Sequence, residues 1–361
     1  MTPVDLSTTV LHAVRRAVRE DALRAPVPAR VRVERTRPGG RGDYASAVAL
    51  QLAGPAGLGA REVAEILRDR LAGAPGVAGV EITGPGFLNF TLDASAGAAA
   101  HRDLVHRVRE EGERYGCGDA LAGHRLLLTH AREVRAAVTA DAVRRLLTAQ
   151  GAVVRVSCAG EPDQDWARLG VSAEAYGAPQ TPGEQPTPIR PVPAGDTAAA
   201  LLTRLGPDGA RWGLLRPAGH DRAPLGPELI AQTEANALFR VRYAYARARA
   251  VIRGADRLGV AVAGLGEDID ATGAADLLAL LDAHPAVRAA AARHRAPDRL
   301  ARHLDAVADA FFDFHDAAPP LPVGDEKPSA AHRSRTAVAE AAGAVLAGGL
   351  SLLGVSAPEH L

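Results

Sequence analysis

Seven prolines fall between residues 161 and 196. Proline fixes its own φ, lacks the N–H that helices and central strands use, and pushes the preceding residue out of the helical region. With the glycines and glutamines among them, these prolines make 161–196 read as a linker. The chain is expected to divide there, and the hydrophobic period differs on the two sides.

Before the prolines, helical and strand periods alternate. Val10, Leu11, Val14 and Val18 form one stripe of an opening helix that should end near Pro26. ARVRVERT (29–36) alternates as a half-buried strand does, and Arg61–Leu71 places Val63, Ile66, Leu67 and Leu71 on one helical face. GVEITG and GFLNFTL read as two strands joined through the turn residues 84–86. Together these make a compact α/β module over 1–97. Residues 98–160 hold a helix, a strand (Leu126–Thr129), a helix (about Ala136–Gln150) and a strand (Val153–Ser157). That order is one crossover unit of a parallel sheet. From 197 to 361 the pattern is helical, with Leu300, Leu304, Val307, Ala308, Phe311 and Phe312 on one stripe and a loop at 319–328. The expected fold class is multidomain α+β: an N-terminal α/β module, a short βαβ unit of a parallel sheet, and a C-terminal all-α helix bundle.

Composition narrows the function. Aromatic residues make up only 4%, so the cores must be Ala, Leu and Val. The 42 basic and 42 acidic residues cancel, which leaves no overall field to attract nucleic acid; any RNA-binding surface must be a local patch. The only lysine is Lys327. Cys117 and Cys158 match no metal or redox spacing, and a reduced, cytoplasmic protein is expected. No apolar run is expected to approach the ~20 residues that span a bilayer, and the opening helix carries Asp5 and reads as a docking helix rather than a signal peptide.

Three stretches, in order, resemble bacterial arginyl-tRNA synthetases. GDYASAVALQLA (42–53) and GPGFLNFTL (84–92) are similar to the N-terminal additional domain that contacts the tRNA elbow. NALFRVRYAYARARAVIR (236–253) resembles the helix that opens the DALR-type anticodon-binding domain; PDRLARHLDAVADAFFDFH (297–315) and GLSLLGVSAPEHL (349–361) resemble its later helices and its end. LGPDGARWGLLR (205–216) is similar to a stem-contact segment, so 197–361 would hold that segment and the anticodon-binding domain. The letters DALR at 21–24 lie at the opposite end and carry no information.

The resemblance implies site residues by position. Phe87 and Asn89 match a D-loop grip, in which an aromatic face stacks an unpaired base and an amide reads its edge. On the residues alone Phe87 reads as core, and Asn89 stands open between base reader and strand-end polar group. Tyr243 and Arg247, four apart on one helical face, match positions presented to the anticodon loop. Tyr245 stands where the family usually has His, and Leu361 where it usually ends in Met. Arg240 with Arg247, and Arg242 with Arg249 and Arg253, form two nearly opposed stripes, one of which should be merely solvated.

Two signatures of aminoacylation belong to the family: a His-x-Gly-His turn at a helix start and a Lys-rich loop, both stabilising charge on the transferring phosphates. The interval 130–140 reads HAREVRAAVTA, with one His and no Gly, and His130 is read as an exposed histidine out of register with Asp141. Lys327 alone cannot make the second signature. Residues 98–160 would then be the remnant of a catalytic Rossmann-type domain. The resemblance implies a tRNA-binding, non-catalytic paralogue that partners tRNA, tRNA-Arg first, and neither DNA nor membrane. No catalytic, cofactor-binding or metal residue is assigned. A protein-interaction module with its own protein partner is the alternative, and an arginine–tRNA ligase the second; ATP and arginine enter only with the latter.

Overall fold

The computed structural model describes residues 3–36, 41–172, 175–177, 186–260 and 270–361, which fall into two compact units divided between Asp103 and Leu104. The first unit is close to the expected α/β module. Helix α1 (Pro3–Arg19) is followed by strands β1 (Glu34–Arg35) and β2 (Tyr44–Ser46), helices α2 (Val48–Ala56) and α3 (Ala60–Leu71), strands β3 (Val77–Thr83) and β4 (Phe87–Leu92), and helix α4 (Ala94–Glu111), which runs across the division. The sheet is antiparallel in the order β1-β2-β4-β3. Its apolar face, Leu88 and Phe90, joins Leu6, Val10 and Val14 of α1 and Val63, Leu67 and Leu71 of α3 in one core.

Two expectations fail here for local reasons. Helix α1 stops at Arg19 instead of running to Pro26, because Asp21 takes a positive φ of 56° that no helix continues. ARVRVERT alternates correctly, with Val31 buried and Val33 packed on the core. Only Glu34 and Arg35 pair, however, since their partner β2 is three residues long. Alternation decides which side chains turn inward; a ladder also needs a partner.

In the second unit, β5 (Arg125–His130), α5 (Val134–Thr148) and β6 (Val153–Cys158) form the expected crossover. The proline stretch is no mere linker. Gln164–Leu169 forms a 3₁₀ turn that buries Trp166 and Leu169, and strands β7 (Ala175–Tyr176) and β8 (Pro186–Ile189) complete a parallel sheet in the order β7-β6-β5-β8. Pro186 and Pro188 are tolerated because β8 is an edge strand and they alternate, which leaves Thr187 and Ile189 with N–H groups for the ladder.

Helices α6 (Ala198–Leu215, broken at Gly206–Pro207), α7 (Ala237–Arg257), α8 (Ala275–His294), α9 (Pro297–Ala317) and α10 (Ala330–Leu353) complete this unit. Among the described residues one helix, α10, is long and apolar enough to cross a membrane, with a mean hydropathy of 1.6, contrary to expectation. It packs against α7, α8 and α9, and 78% of its apolar window is buried. Its small residues permit this: a Cβ on Gly348 would collide with the Glu113 carbonyl. With few aromatics available, three of the largest buried side chains are arginines, Arg135, Arg211 and Arg288, each below 2% or at 2% exposure. Each is bonded to backbone carbonyls of distant segments.

Candidate nucleic-acid interface

The β3–β4 turn of the first unit brings Gly86, at φ 142°, against the Ala60 carbonyl, where a Cβ would lie 2.7 Å from that oxygen. The turn sets β4 so that Phe87 and Asn89 lie on the face opposite Leu88 and Phe90. Phe87 is 39% exposed and is not core, which corrects the reading from sequence. Asn89 is buried at 6% exposure, and its Nδ2 donates to Thr83 Oγ1 at 2.6 Å. A cross-strand bond therefore occupies the amide, while the aromatic ring beside it is free to stack.

In the second unit, Asn236 caps α7 by accepting from the Leu238 N–H at 3.0 Å. Helix α7 presents Phe239, Tyr243 and Arg247 along one face. The Tyr243 ring stacks between Phe239, at 5.6 Å between centroids, and Phe312 of α9, at 5.7 Å, and remains 42% exposed. These rings line an open groove of about 730 Å³ with Arg240, Arg247, His315, Asp309, Asp313 and Asp316. Arg247 makes no hydrogen bond or ion pair with any described residue; Arg240 is held by Asp305 and Asp309. Burial, then the Arg247 charge, lowers the pKa of His315, so that ring is neutral at pH 7. The groove offers aromatic faces, one free guanidinium and a neutral imidazole, which suits unpaired bases better than phosphates.

Tyr245 does not join this groove. It lies two residues from Tyr243, on the opposite side of α7, buried at 8% exposure. The second arginine stripe is paired, whereas Arg247 of the first is exposed. Arg242 reaches Asp208 at 3.6 Å and Ser356, and Arg249 and Arg253 reach Glu359 at 2.9 and 3.6 Å, so the stripe holds the chain's last residues on α7. Leu361 is thereby set, 54% exposed, beside a 240 Å³ cavity that shares Phe239 and Gln232 with the aromatic groove.

The carboxyl ends of the parallel strands carry a feature misjudged from sequence. Helix α5 begins at Val134, two residues earlier than expected, so His130-Ala131-Arg132-Glu133 is itself the strand-to-helix turn. It occupies the place of a His-x-Gly-His turn, with Arg132 at the glycine and Glu133 at the second histidine. His130 is buried, not exposed. Its Nδ1 donates to the Ala131 carbonyl at 2.8 Å, and its Nε2 has no partner among the described residues. Glu133 caps α5: one carboxylate oxygen accepts from the Ala136 N–H and the other from the Ala194 N–H, both at 2.8 Å. A helix N-terminus at this end of a parallel sheet is where such folds receive phosphate. Here the chain's own carboxylate fills it.

Comparisons with known proteins agree with this architecture. Residues 5–92 match the Arginyl tRNA synthetase N terminal domain and residues 241–361 the DALR anticodon binding domain. The arginine–tRNA ligase of Renibacterium salmoninarum is 28% identical over 553 aligned positions that cover all of both chains. Since this chain has 361 residues, about 190 of those positions have no counterpart in it. The ligase of Micrococcus luteus is 41% identical over 169 residues, 43% of this chain and 30% of the relative. Among solved structures, the arginyl-tRNA synthetase of Thermus thermophilus superposes with a TM-score of 0.69 at 13% identity over all of both chains. That of Plasmodium falciparum gives 0.70 at 9% identity, covering 99% of each. With both terminal domains matched and the fold shared throughout, the chain belongs to the arginyl-tRNA synthetase family, about 190 residues shorter than full-length relatives.

Proposed function

We propose that this protein binds tRNA, tRNA-Arg in the first instance, without aminoacylating it, and acts in the cytoplasm as a sequestering, delivery or regulatory factor. Phe87 would stack a D-loop base, and Tyr243 with Arg247 would engage the anticodon loop. Leu361 would border that contact; Asn89 and Tyr245 would support their elements rather than touch RNA, given their burial. The observation that carries the non-catalytic reading is Glu133 on the α5 N-terminus. A carboxylate there repels a nucleotide's phosphates and takes one of the helix N–H groups, that of Ala136, that would stabilise them. The shortened chain and the solitary Lys327 point the same way.

The names of the relatives favour a second reading, an arginine–tRNA ligase that uses ATP and arginine. Two assays separate the readings. Filter binding should show tRNA retained above random RNA of equal length, with affinity falling as salt rises. Arginine-dependent pyrophosphate exchange should stay at background; a clear exchange signal from the purified chain sinks the non-catalytic reading. Equal retention of random RNA sinks the tRNA reading.

A further inference from the structure

Bases find a partner in the groove on α7, but phosphates do not, because Asp309, Asp313 and Asp316 line it beside Arg247. In a chain of zero net charge the RNA backbone has to meet a local basic patch. One such patch lies outside this groove. Residues 288–303 read RAAAARHRAPDRLARH, five arginines and two histidines against one aspartate.

Arg288 and His303 of this run are buried; the others surround the turn between α8 and α9. Arg295, at φ 51°, reverses the chain and delivers the end of α8 to the start of α9. A half-open cavity of about 490 Å³ lies at this turn, lined by His294, Arg295, Arg299 and Arg302, by His220 and the buried Arg135, and by two aspartates, Asp221 and Asp298, against four arginines. Arg302 pairs with Asp298. Arg295 and Arg299 are exposed, and their guanidinium groups make no hydrogen bond or ion pair with any described residue. Arg135 spends its donors on the carbonyls of Val192, Leu214, Pro217, Ala218 and Asp221 and makes no ion pair with a described residue, while Glu133, Asp221 and Asp298 act on its charge without a direct bond. The N-terminus of α9 has no side-chain cap at Ala296, but Pro297 offers no N–H and Asp298 stands in the first turn, so the positive charge at this turn is that of the guanidinium groups. Arg293 and Arg222, next in the chain to the lining residues His294 and Asp221, are exposed as well.

We propose that the cavity at the α8–α9 turn receives phosphate groups of an RNA backbone, a contact additional to the D-loop and anticodon-loop positions. The proposal rests on the tRNA-binding reading and names the surface that gives it salt dependence. Arg295 and Arg299 are the two residues that would contact phosphate directly.

The test uses the full chain, the R295Q/R299Q variant and, as comparator, Y243A, with tRNA affinity measured across a salt series. Both arginines are exposed and unpaired, so the double variant should keep the wild-type thermal midpoint. Its slope of log affinity against log salt should be shallower by about two. Between 50 and 200 mM salt the wild type should then lose roughly tenfold more affinity than the variant. If Y243A weakens tRNA binding while R295Q/R299Q leaves affinity and slope unchanged, the cavity proposal falls and the tRNA reading stands. If the wild type prefers no tRNA, yet its binding to random RNA loses about two units of slope in R295Q/R299Q, the cavity proposal stands and the tRNA reading falls. Absence of any salt-dependent RNA binding overturns both.

Discussion

Asp141 is the centre of a buried network in which its carboxylate meets Arg211 at 2.8 Å, Arg144 at 2.8 Å and Arg145 at 2.9 Å. Asp141 and Arg211 are 2% and 1% exposed. Arg211 also donates to the carbonyls of Leu353 and Leu169, so the pair ties α5 and α6 to the 3₁₀ turn and the end of α10. In D141N, Arg144 and Arg145 can turn to water, but Arg211 remains charged, buried and without a carboxylate. Breaking a buried pair by removing one partner costs about 3–5 kcal/mol. Because Asn keeps the shape and one acceptor, about 3 kcal/mol is expected, a large part of a typical total stability of roughly 5–15 kcal/mol. Both tryptophans, Trp166 and Trp212, are buried in the second unit beside this network, so urea unfolding followed by their fluorescence reports that unit alone. With an m-value of about 2–3 kcal/mol/M, the midpoint should fall by roughly 1–1.5 M. The D141N/R211M double variant should recover much of that loss, since an apolar side chain replaces the stranded charge. Acid adds a second readout. Burial works to raise the Asp141 pKa, but Arg211, Arg145 and Arg144 outweigh it and hold the carboxyl below its usual value. Its stabilisation is therefore present above about pH 4 and is lost as the pH falls through the lowered folded value; D141N should lack that loss. An unchanged tryptophan-reported midpoint in D141N would refute the argument that this network holds the unit together.

Four further outcomes are expected. His284, wholly buried, and His303, lowered to about 4 by burial, stack at 5.2 Å, so both stay neutral when folded and protonate when unfolded. Stability of the second unit should thus fall as the pH drops below about 6.5, by up to roughly 1.4 kcal/mol per pH unit for each histidine, and H303Q should flatten the slope; equal slopes for the two proteins would contradict this. Gly348→Ala should lower the thermal midpoint by several degrees, because the clashing Glu113 carbonyl is backbone and cannot swing aside, and a wild-type midpoint would disprove the close approach. Tyr243→Ala should weaken tRNA binding by about 1–3 kcal/mol, the value of one base stacked on an aromatic ring, with no change in the salt slope. Replacing Glu133 by Ala should cost about 1 kcal/mol of stability as a lost helix cap, read as a lower urea midpoint by tryptophan fluorescence.

The elements were largely legible where one period dominated. The stripe Leu300–Phe312 became α9, the short apolar run from Leu126 became β5, and the turn residues at 84–86 joined β3 to β4. Legibility ended where a partner far along the chain decided the outcome. Pro186–Ile189 carries no strand period of its own and became β8 because β5 offers it an edge. His130 was misread because Trp166, far along the chain, comes to lie against its ring at 5.8 Å between centroids, which no local pattern announces. Phe87 and Tyr245 were misjudged together. An aromatic in a strand or helix gives no sign of which face is covered until the packing is known, and here the two have opposite exposures.

Arginine shows the division most clearly. The near-complete use of Arg over Lys is a property of the sequence, and so are the two domain resemblances. Residue by residue, though, the arginines look alike in the one-dimensional chain. Folding separates them: Arg135 and Arg211 are buried braces, Arg242, Arg249 and Arg253 anchor the final residues, and Arg247, Arg295 and Arg299 are left unpaired at the surface. Local patterns of apolar and polar residues specify elements through short-range sterics and burial, which a sequence carries in full. A charge becomes a brace or a ligand only through the partners that distant segments bring within about 3 Å of it, and that is a property of the tertiary structure alone.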